Sequence, residues 1–297
     1  MRSKMKCASI TFSMVCFMLT PHSSLHSQET ANQPFARPLP PGVKQIADCE
    51  YAKNGHPRHR LDLYLPEKVE GRLPVILWVH GGGWITGDKA GGPAIQFATK
   101  GYAVASMNYR YSQHATFPAQ VHDCKAAVRW LRANSDAYSL DAEHIGAWGA
   151  SAGGHLVAML GLTAGNQQLE GDLGHAEQSS AVQAVVDWFG PTDFLTLGAR
   201  ETRTQFLGGD AVEHPDKGNA ASPMRFITPQ AAPFFIAHGD EDPLVNYSQS
   251  STFAAALEQA GVETTFVTIL GGKHGGAKFS RPEEIARIEA FFNKHLK

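Results

Sequence analysis

Ile145-Gly146-Ala147-Trp148-Gly149-Ala150-Ser151-Ala152-Gly153-Gly154-His155 runs from an apolar strand signal directly into small residues that open a helix, with a Gly-x-Ser-x-Gly pattern at the join. A strand-to-helix turn this sharp lifts the serine hydroxyl above the end of a sheet. Glycines flank it because a larger side chain would strike neighbouring backbone. The helix that follows points its N-terminal amides at the same place. Alone, the pentapeptide also suits an ordinary glycine-rich turn. The segments around it decide between the two readings.

Outward from this turn, short continuous apolar runs recur at 75–79, 102–105, 145–148, 182–189, 234–237 and 265–270. Strands that are apolar on both faces belong in a parallel sheet covered by helices. Between them lie amphipathic stretches at 94–100, 119–133, 152–162, 248–260 and 282–296. In the second of these, Val121, Cys124, Ala127, Val128 and Leu131 recur on one helical face. The alternation predicts a doubly wound α/β fold with a mostly parallel sheet and helices on both faces. Ahead of it, 43–51 and 58–65 flank Asn54-Gly55, which predicts an N-terminal antiparallel hairpin. The stretch 191–233 breaks the alternation with Gly198, Gly208-Gly209, Pro215, Gly218 and Pro223, and reads as an irregular, lid-like insertion.

The 297 residues, 43% hydrophobic and 18% charged, allow one large packed domain. Residues 1–27 resemble an export leader: Arg2, Lys4 and Lys6 precede an uncharged stretch from Cys7 to Leu19, too short to span a bilayer, where about 20 apolar residues are needed. Bulky Val15 argues against a lipid anchor on Cys16. The expected organisation is a leader over 1–27, a proline-rich linker over 28–45 and one domain over 46–297, which makes the protein secreted or periplasmic, with no transmembrane segment once the leader is removed. Three of the 26 basic residues lie in the leader, so the remainder carries 23 bases against 28 acids. A body of that sign, without a Lys/Arg cluster, excludes nucleic acid as the expected partner. Cys49 and Cys124 remain outside the leader, where a single disulfide and two free thiols are both open.

The run His80-Gly81-Gly82-Gly83-Trp84 follows the apolar strand 75–79. Consecutive glycines let bare backbone N–H groups approach a substrate oxygen, and with the Ala152 amide they would hold a developing oxyanion. A serine hydroxyl is a weak nucleophile and needs a base that is itself oriented by an acid. On nucleophile turns of this type the acid and then the histidine follow in chain order. Asp242 lies just past the run 234–237, and His274 sits just past 265–270 between Gly271-Gly272 and Gly275-Gly276. Both positions are C-terminal ends of strands, where open α/β sheets place ligands. Asp240 and Glu241 compete with Asp242, and Asp187 and Asp193 stand beside an earlier strand. Among the 14 histidines, His80 and His238 are lesser candidates for the base, and His155 is expected to pack. Trp84, and after it Trp188, Phe189 and Phe194, are candidates for the substrate pocket. Neither metal nor organic cofactor is required, because histidine moves the proton and amides stabilise the charge.

With these residues assembled, the chain resembles the BD-FAE-like group of bacterial feruloyl and acetyl esterases and, more distantly, hormone-sensitive-lipase-like esterases. The stretches that carry the likeness are Leu61-Asp62-Leu63-Tyr64-Leu65-Pro66, His80 to Trp84 with Gly87-Asp88-Lys89, Phe117-Pro118-Ala119-Gln120, Ala126 to Leu131, Gly149 to His155, Gly239 to Val245 and His274-Gly275-Gly276. The resemblance implies an α/β-hydrolase fold and a carboxylic ester hydrolase, with Ser151, Asp242 and His274 as triad and Gly82, Gly83 and Ala152 as oxyanion donors. Its implied substrate is a small or polysaccharide-linked ester, acetyl, feruloyl or short-chain. Two other readings stay open: a serine exopeptidase of the same fold, and a non-catalytic carbohydrate-binding or adhesion protein.

Overall fold

The computed structural model describes residues 38–53 and 55–297. The expected leader, residues 28–37 of the expected linker and Asn54 of the expected turn lie outside the described residues.

Eight strands form one sheet: β1 (Val43–Glu50), β2 (Arg60–Pro66), β3 (Leu73–Val79), β4 (Ala103–Met107), β5 (Leu140–Ala150), β6 (Ala184–Trp188), β7 (Phe234–Gly239) and β8 (Thr264–Ile269), in the spatial order β1-β2-β4-β3-β5-β6-β7-β8. β1 pairs antiparallel with β2, and β2 antiparallel with β4. From β4 to β8 every pairing is parallel. This is the α/β-hydrolase arrangement. Strand alternation sorts the apolar residues onto two faces. Val75, Leu77 and Val79 of β3 pack into one core with Ile145 and Ala147 of β5, while Ile76, Trp78 and Trp148 point into the other. The first core is roofed by α1 (Ala119–Ala133), α3 (Ala152–Leu162) and α7 (Ser248–Gln259), which contribute Val128, Leu156 and Phe253. The second is roofed by α8 (Pro282–Leu296) and the 3-10 segment Pro93–Lys100, through Ile288, Phe292 and Phe97. Full burial of such a side chain contributes about 1.5–3 kcal/mol. That is why strands with no polar face still form a stable interior. Two single turns, α2 (Ser135–Tyr138) and α4 (Gln167–Glu170), complete the helices on this part of the chain.

Two expectations need correction. Strand pairing begins at Val43, inside the span assigned to the linker, with Val43, Lys44 and Gln45 opposite Pro66, Leu65 and Tyr64. This is the first strand of the hairpin expected over 43–51, an edge strand with mostly exposed residues, so only the last three residues of the assigned linker change place. The insertion over 191–233 is also more regular than its glycines and prolines suggest. It holds α5 (Glu201–Leu207), α6 (Pro215–Ala221) and a 3-10 turn at Pro223–Phe226. The breakers sit at helix ends: Gly208 is the left-handed cap of α5 at φ 65, and Pro215 occupies the first turn of α6.

Cys49 and Cys124 are both free thiols, Cys49 half-buried and Cys124 fully buried on α1. Among the described residues no helix is long and apolar enough to cross a membrane.

Candidate active site

Ser151 occupies the turn between β5 and α3 at φ 55, ψ −119, a conformation that costs an L-residue free energy and persists only where its surroundings impose it. They do so here. The Ser151 amide donates to the Trp188 carbonyl at 2.8 Å, and its carbonyl accepts from the His155 amide at 3.0 Å. A Cβ on Gly149 would collide with the carbonyl oxygen of Gly153, and one on Gly153 with that of Val79. The turn can close only with glycine at both places.

His274 and Asp242 meet this serine from the loops after β8 and β7. The imidazole Nε2 lies 2.8 Å from Ser151 Oγ, and Nδ1 lies 2.6 Å from Asp242 Oδ2. Since the carboxylate can only accept, Nδ1 carries the hydrogen and Nε2 presents its lone pair to the serine hydroxyl. The second oxygen of Asp242, Oδ1, accepts from the amides of Leu244 and Val245 at 2.8 and 3.0 Å. Burial by itself would favour the protonated acid, but the bonds from His238, His274 and these amides outweigh it and hold the carboxyl far below the usual carboxylate range.

Of the competing acids, Asp187, Asp193 and Asp240 are engaged elsewhere, and Glu241 is exposed. Asp240 accepts from the Gly271 amide at 2.6 Å and fastens the His274 loop, while Asp193 caps Leu195. Asp187 is fully buried beneath the Ser151 turn, bonded through Oδ1 to the Gly190 amide, and burial pushes it up to about 6. His80 is no base for Ser151. Its ring stacks on Tyr109, Nδ1 donates to the Gly81 carbonyl at 2.7 Å and Nε2 faces Arg58 at 3.3 Å. Together with the Tyr109 hydroxyl, which donates to the His80 carbonyl at 3.0 Å, it anchors the glycine loop from behind.

That loop reaches the serine. A Cβ on Gly81 would lie 3.3 Å from the Ser151 Cβ. Gly82 and Gly83 turn the chain at φ 110 and φ 59. Among the described residues the amides of Gly82 and Gly83 donate to no backbone acceptor outside the helices and strands, and Ala152 opens α3, where an N-terminal amide has no intrahelical partner, so these amides are left as donors.

The aromatic candidates are placed differently from expectation. Trp84, expected to line the substrate pocket, is 3% exposed and stacks on Phe206 of α5 with ring centres 4.2 Å apart, in a cluster with Phe194 and His155. At φ 59 it turns its indole under the insertion, which covers it. Trp188 packs against Trp148 and Trp78. Phe189 alone among the four touches the site, its ring centre 4.7 Å from that of His274. Sequence reading missed the insertion's contribution altogether. The Thr202 side chain lies against Gly83, and buried Arg203 donates to the Leu197, Gly198 and Leu244 carbonyls, tying α5 to the Asp242 loop. Nothing in the local sequence marks these two residues, because Thr202 meets a glycine far away in the chain and Arg203 joins carbonyls of its own insertion to that of Leu244 on a distant loop. Among the described residues no cluster of three or more His, Cys, Asp or Glu side chains is arranged for a metal ion.

Buried histidines around the site give the fold a defined acid sensitivity. Burial holds His80 and His155 down at about 4 each. An unfolded histidine titrates near ~6.5. Between about pH 6.5 and 4 the unfolded chain therefore binds two protons that the folded chain refuses, and stability falls with acidification. Asp187, raised to about 6, works the opposite way with one proton. Burial lowers His56 and His122 as well, so the histidines outweigh the single proton of Asp187 and the net is a loss. Denaturant midpoints measured stepwise from pH 7 to 4.5 should fall, and His155→Gln should flatten the fall by roughly 2 kcal/mol. A midpoint that rises over this window would contradict the assignment.

A model of the BD-FAE family matches residues 61–257. The chain is 33% identical over 241 residues to the esterase LipQ of Mycobacterium tuberculosis, over 77% of this chain and 56% of that protein. It spans about half the length of the curated relatives it matches. Among solved structures it is similar to a truncated carbohydrate esterase from gut microbiota, with 31% identity and a TM-score of 0.81 over 84% of this chain and 95% of that one. A bifunctional GH43-CE protein of Bacteroides eggerthii is 33% identical, with a TM-score of 0.81 over 85% of this chain and 35% of that one.

Proposed function

The chain belongs to the BD-FAE family, and from that membership we propose that it is a serine-dependent carboxylic ester hydrolase acting through an acyl-enzyme on short-chain esters or on acetyl or feruloyl esters carried by a carbohydrate. One observation carries the reading: His274 lies within hydrogen-bonding reach of Ser151 Oγ on one nitrogen and of Asp242 on the other. In the first half-reaction Ser151 Oγ attacks the ester carbonyl carbon while His274 Nε2 takes its proton. The tetrahedral oxyanion is held by the free amides of Gly82, Gly83 and Ala152. Collapse breaks the bond to the alcohol oxygen, which leaves with the proton from His274. Water then adds to the acyl-enzyme by the same route and frees the acid and Ser151.

Support for a carbohydrate alcohol comes from the similar structure named as a carbohydrate esterase, at 31% identity. Export, expected from residues 1–27, would put the enzyme among polysaccharide esters outside the cell. Partial exposure of Ser151 and of Gly81 to Gly83 is in keeping with a bulky alcohol.

Purified protein assayed against acetylated xylan, methyl ferulate, a p-nitrophenyl ester ladder and a peptide nitroanilide tests the proposal. Turnover of acetylated xylan or methyl ferulate together with the shortest p-nitrophenyl esters is expected. Preference for the peptide nitroanilide would replace the reading with an exopeptidase, and inertness toward every substrate would leave a binding protein.

A further inference from the structure

We propose that His238 is a second positioning histidine of this site, which locks Asp242 in place and shares its charge with His274 so that the base releases its proton readily. The inference rests on the hydrolase reading. His238 stands near the end of β7 with its side chain wholly buried. Its Nε2 lies 3.1 Å from Asp242 Oδ2 and 3.0 Å from the Val245 carbonyl. Both partners can only accept, so Nε2 carries the hydrogen. Its Nδ1 lies 2.7 Å from the buried Ser250 hydroxyl on α7, a group able to donate or accept. The ring is thus held at both nitrogens. It cannot swing away from the carboxylate.

The oxygen it reaches is the one that orients His274. An N–H donated to a carboxylate oxygen stabilises negative charge there and weakens that oxygen's pull on any other donor. With His238 present, the charge facing His274 is divided between two imidazoles. Without it, the whole charge would fall on His274 and strengthen its hold on the proton, while Asp242 would lose one of four restraints. Other groups around the pair are few. His238 is faced by Asp187 from β6, the Tyr247 ring at 5.8 Å and the Phe189 ring at 6.3 Å. His274 is faced by Phe189 and Ser151. On its own loop, exposed Lys273 adjoins it in sequence, and Lys278 donates to the Leu270 and Gly271 carbonyls. Glu241 approaches that loop at Gly271. None of these offers Asp242 Oδ2 a substitute donor.

The test is the pH dependence of kcat/KM for p-nitrophenyl acetate in the full chain and in His238→Phe, His238→Gln and Ser250→Ala. His238→Phe should lower kcat about 10- to 100-fold, as loss of an orienting partner does elsewhere, and should move the acid limb upward by about one pH unit. His238→Gln, which keeps an N–H, should recover part of both. Ser250→Ala should move the limb the same way by less, and it carries the test with His238→Gln if the Phe variant does not fold. An acid limb that stays put or moves downward in these variants, with the wild type active, overturns the role of His238 and leaves the hydrolase reading standing. An inactive wild type overturns the hydrolase reading itself.

Discussion

Ser151→Ala is expected to cut ester hydrolysis by on the order of 100,000-fold or more, matching the cost of removing the nucleophile from a serine hydrolase in which the three groups act as a unit. The loss is chemical. Among the described residues the Ser151 side chain makes one hydrogen bond, to His274, and its removal should cost only about 1 kcal/mol of stability. The strained backbone is held by the Trp188 carbonyl and the His155 amide, and an alanine keeps both bonds. Denaturant midpoints of variant and wild type should therefore nearly coincide while turnover disappears. A variant that keeps turnover within tenfold would remove Ser151 from the mechanism.

Asp242→Asn should lower kcat by about 10,000-fold, and the reason lies in where the amide must point. The amides of Leu244 and Val245 both donate to Oδ1, so the asparagine oxygen must take that position. Its NH2 then faces the two nitrogens that now donate to Oδ2, His274 Nδ1 and His238 Nε2. Two donors cannot meet. His274 is driven to the tautomer with hydrogen on Nε2, and the lone pair that would accept the Ser151 proton is lost. The buried His238 donor keeps only the Val245 carbonyl, so stability should also fall, by about 1–3 kcal/mol, which a denaturant midpoint measures. Wild-type turnover in this variant would mean that another carboxylate orients the base.

The parts of the fold legible in advance were those where one physical signal acts alone. Apolar runs buried on both faces announced β3 and β5, and the helical stripe through Val121, Cys124 and Val128 announced α1 over its full length. Ser151 was legible because steric exclusion at Gly149 and Gly153 writes itself into local sequence. The place of His274, and the stretch 240–242 that holds the candidate acid, followed from the chain order of strand ends. What could not be read depends on contacts between segments far apart. Trp84 looked like a pocket wall beside the glycine loop until α5 laid Phe206 on its face. The choice among Asp187, Asp193, Asp240, Glu241 and Asp242 turned on which carboxylate reaches an imidazole supplied by another strand's loop. His238 was visible only as one histidine among several, since its partners Ser250 and Asp242 reveal their purpose only when β7 and α7 pack together. The hydrogen bonds of Arg203 to the Leu244 loop leave no local mark for the same reason.

Reaction with a fluorophosphonate probe, followed by intact mass measurement and peptide mapping, examines the proposed nucleophile most directly. One adduct per chain is predicted, carried by Ser151, with loss of p-nitrophenyl acetate turnover in proportion to labelling and no adduct on Ser151→Ala. A chain that hydrolyses the ester while remaining unlabelled, or that carries the adduct at another residue, would contradict the account.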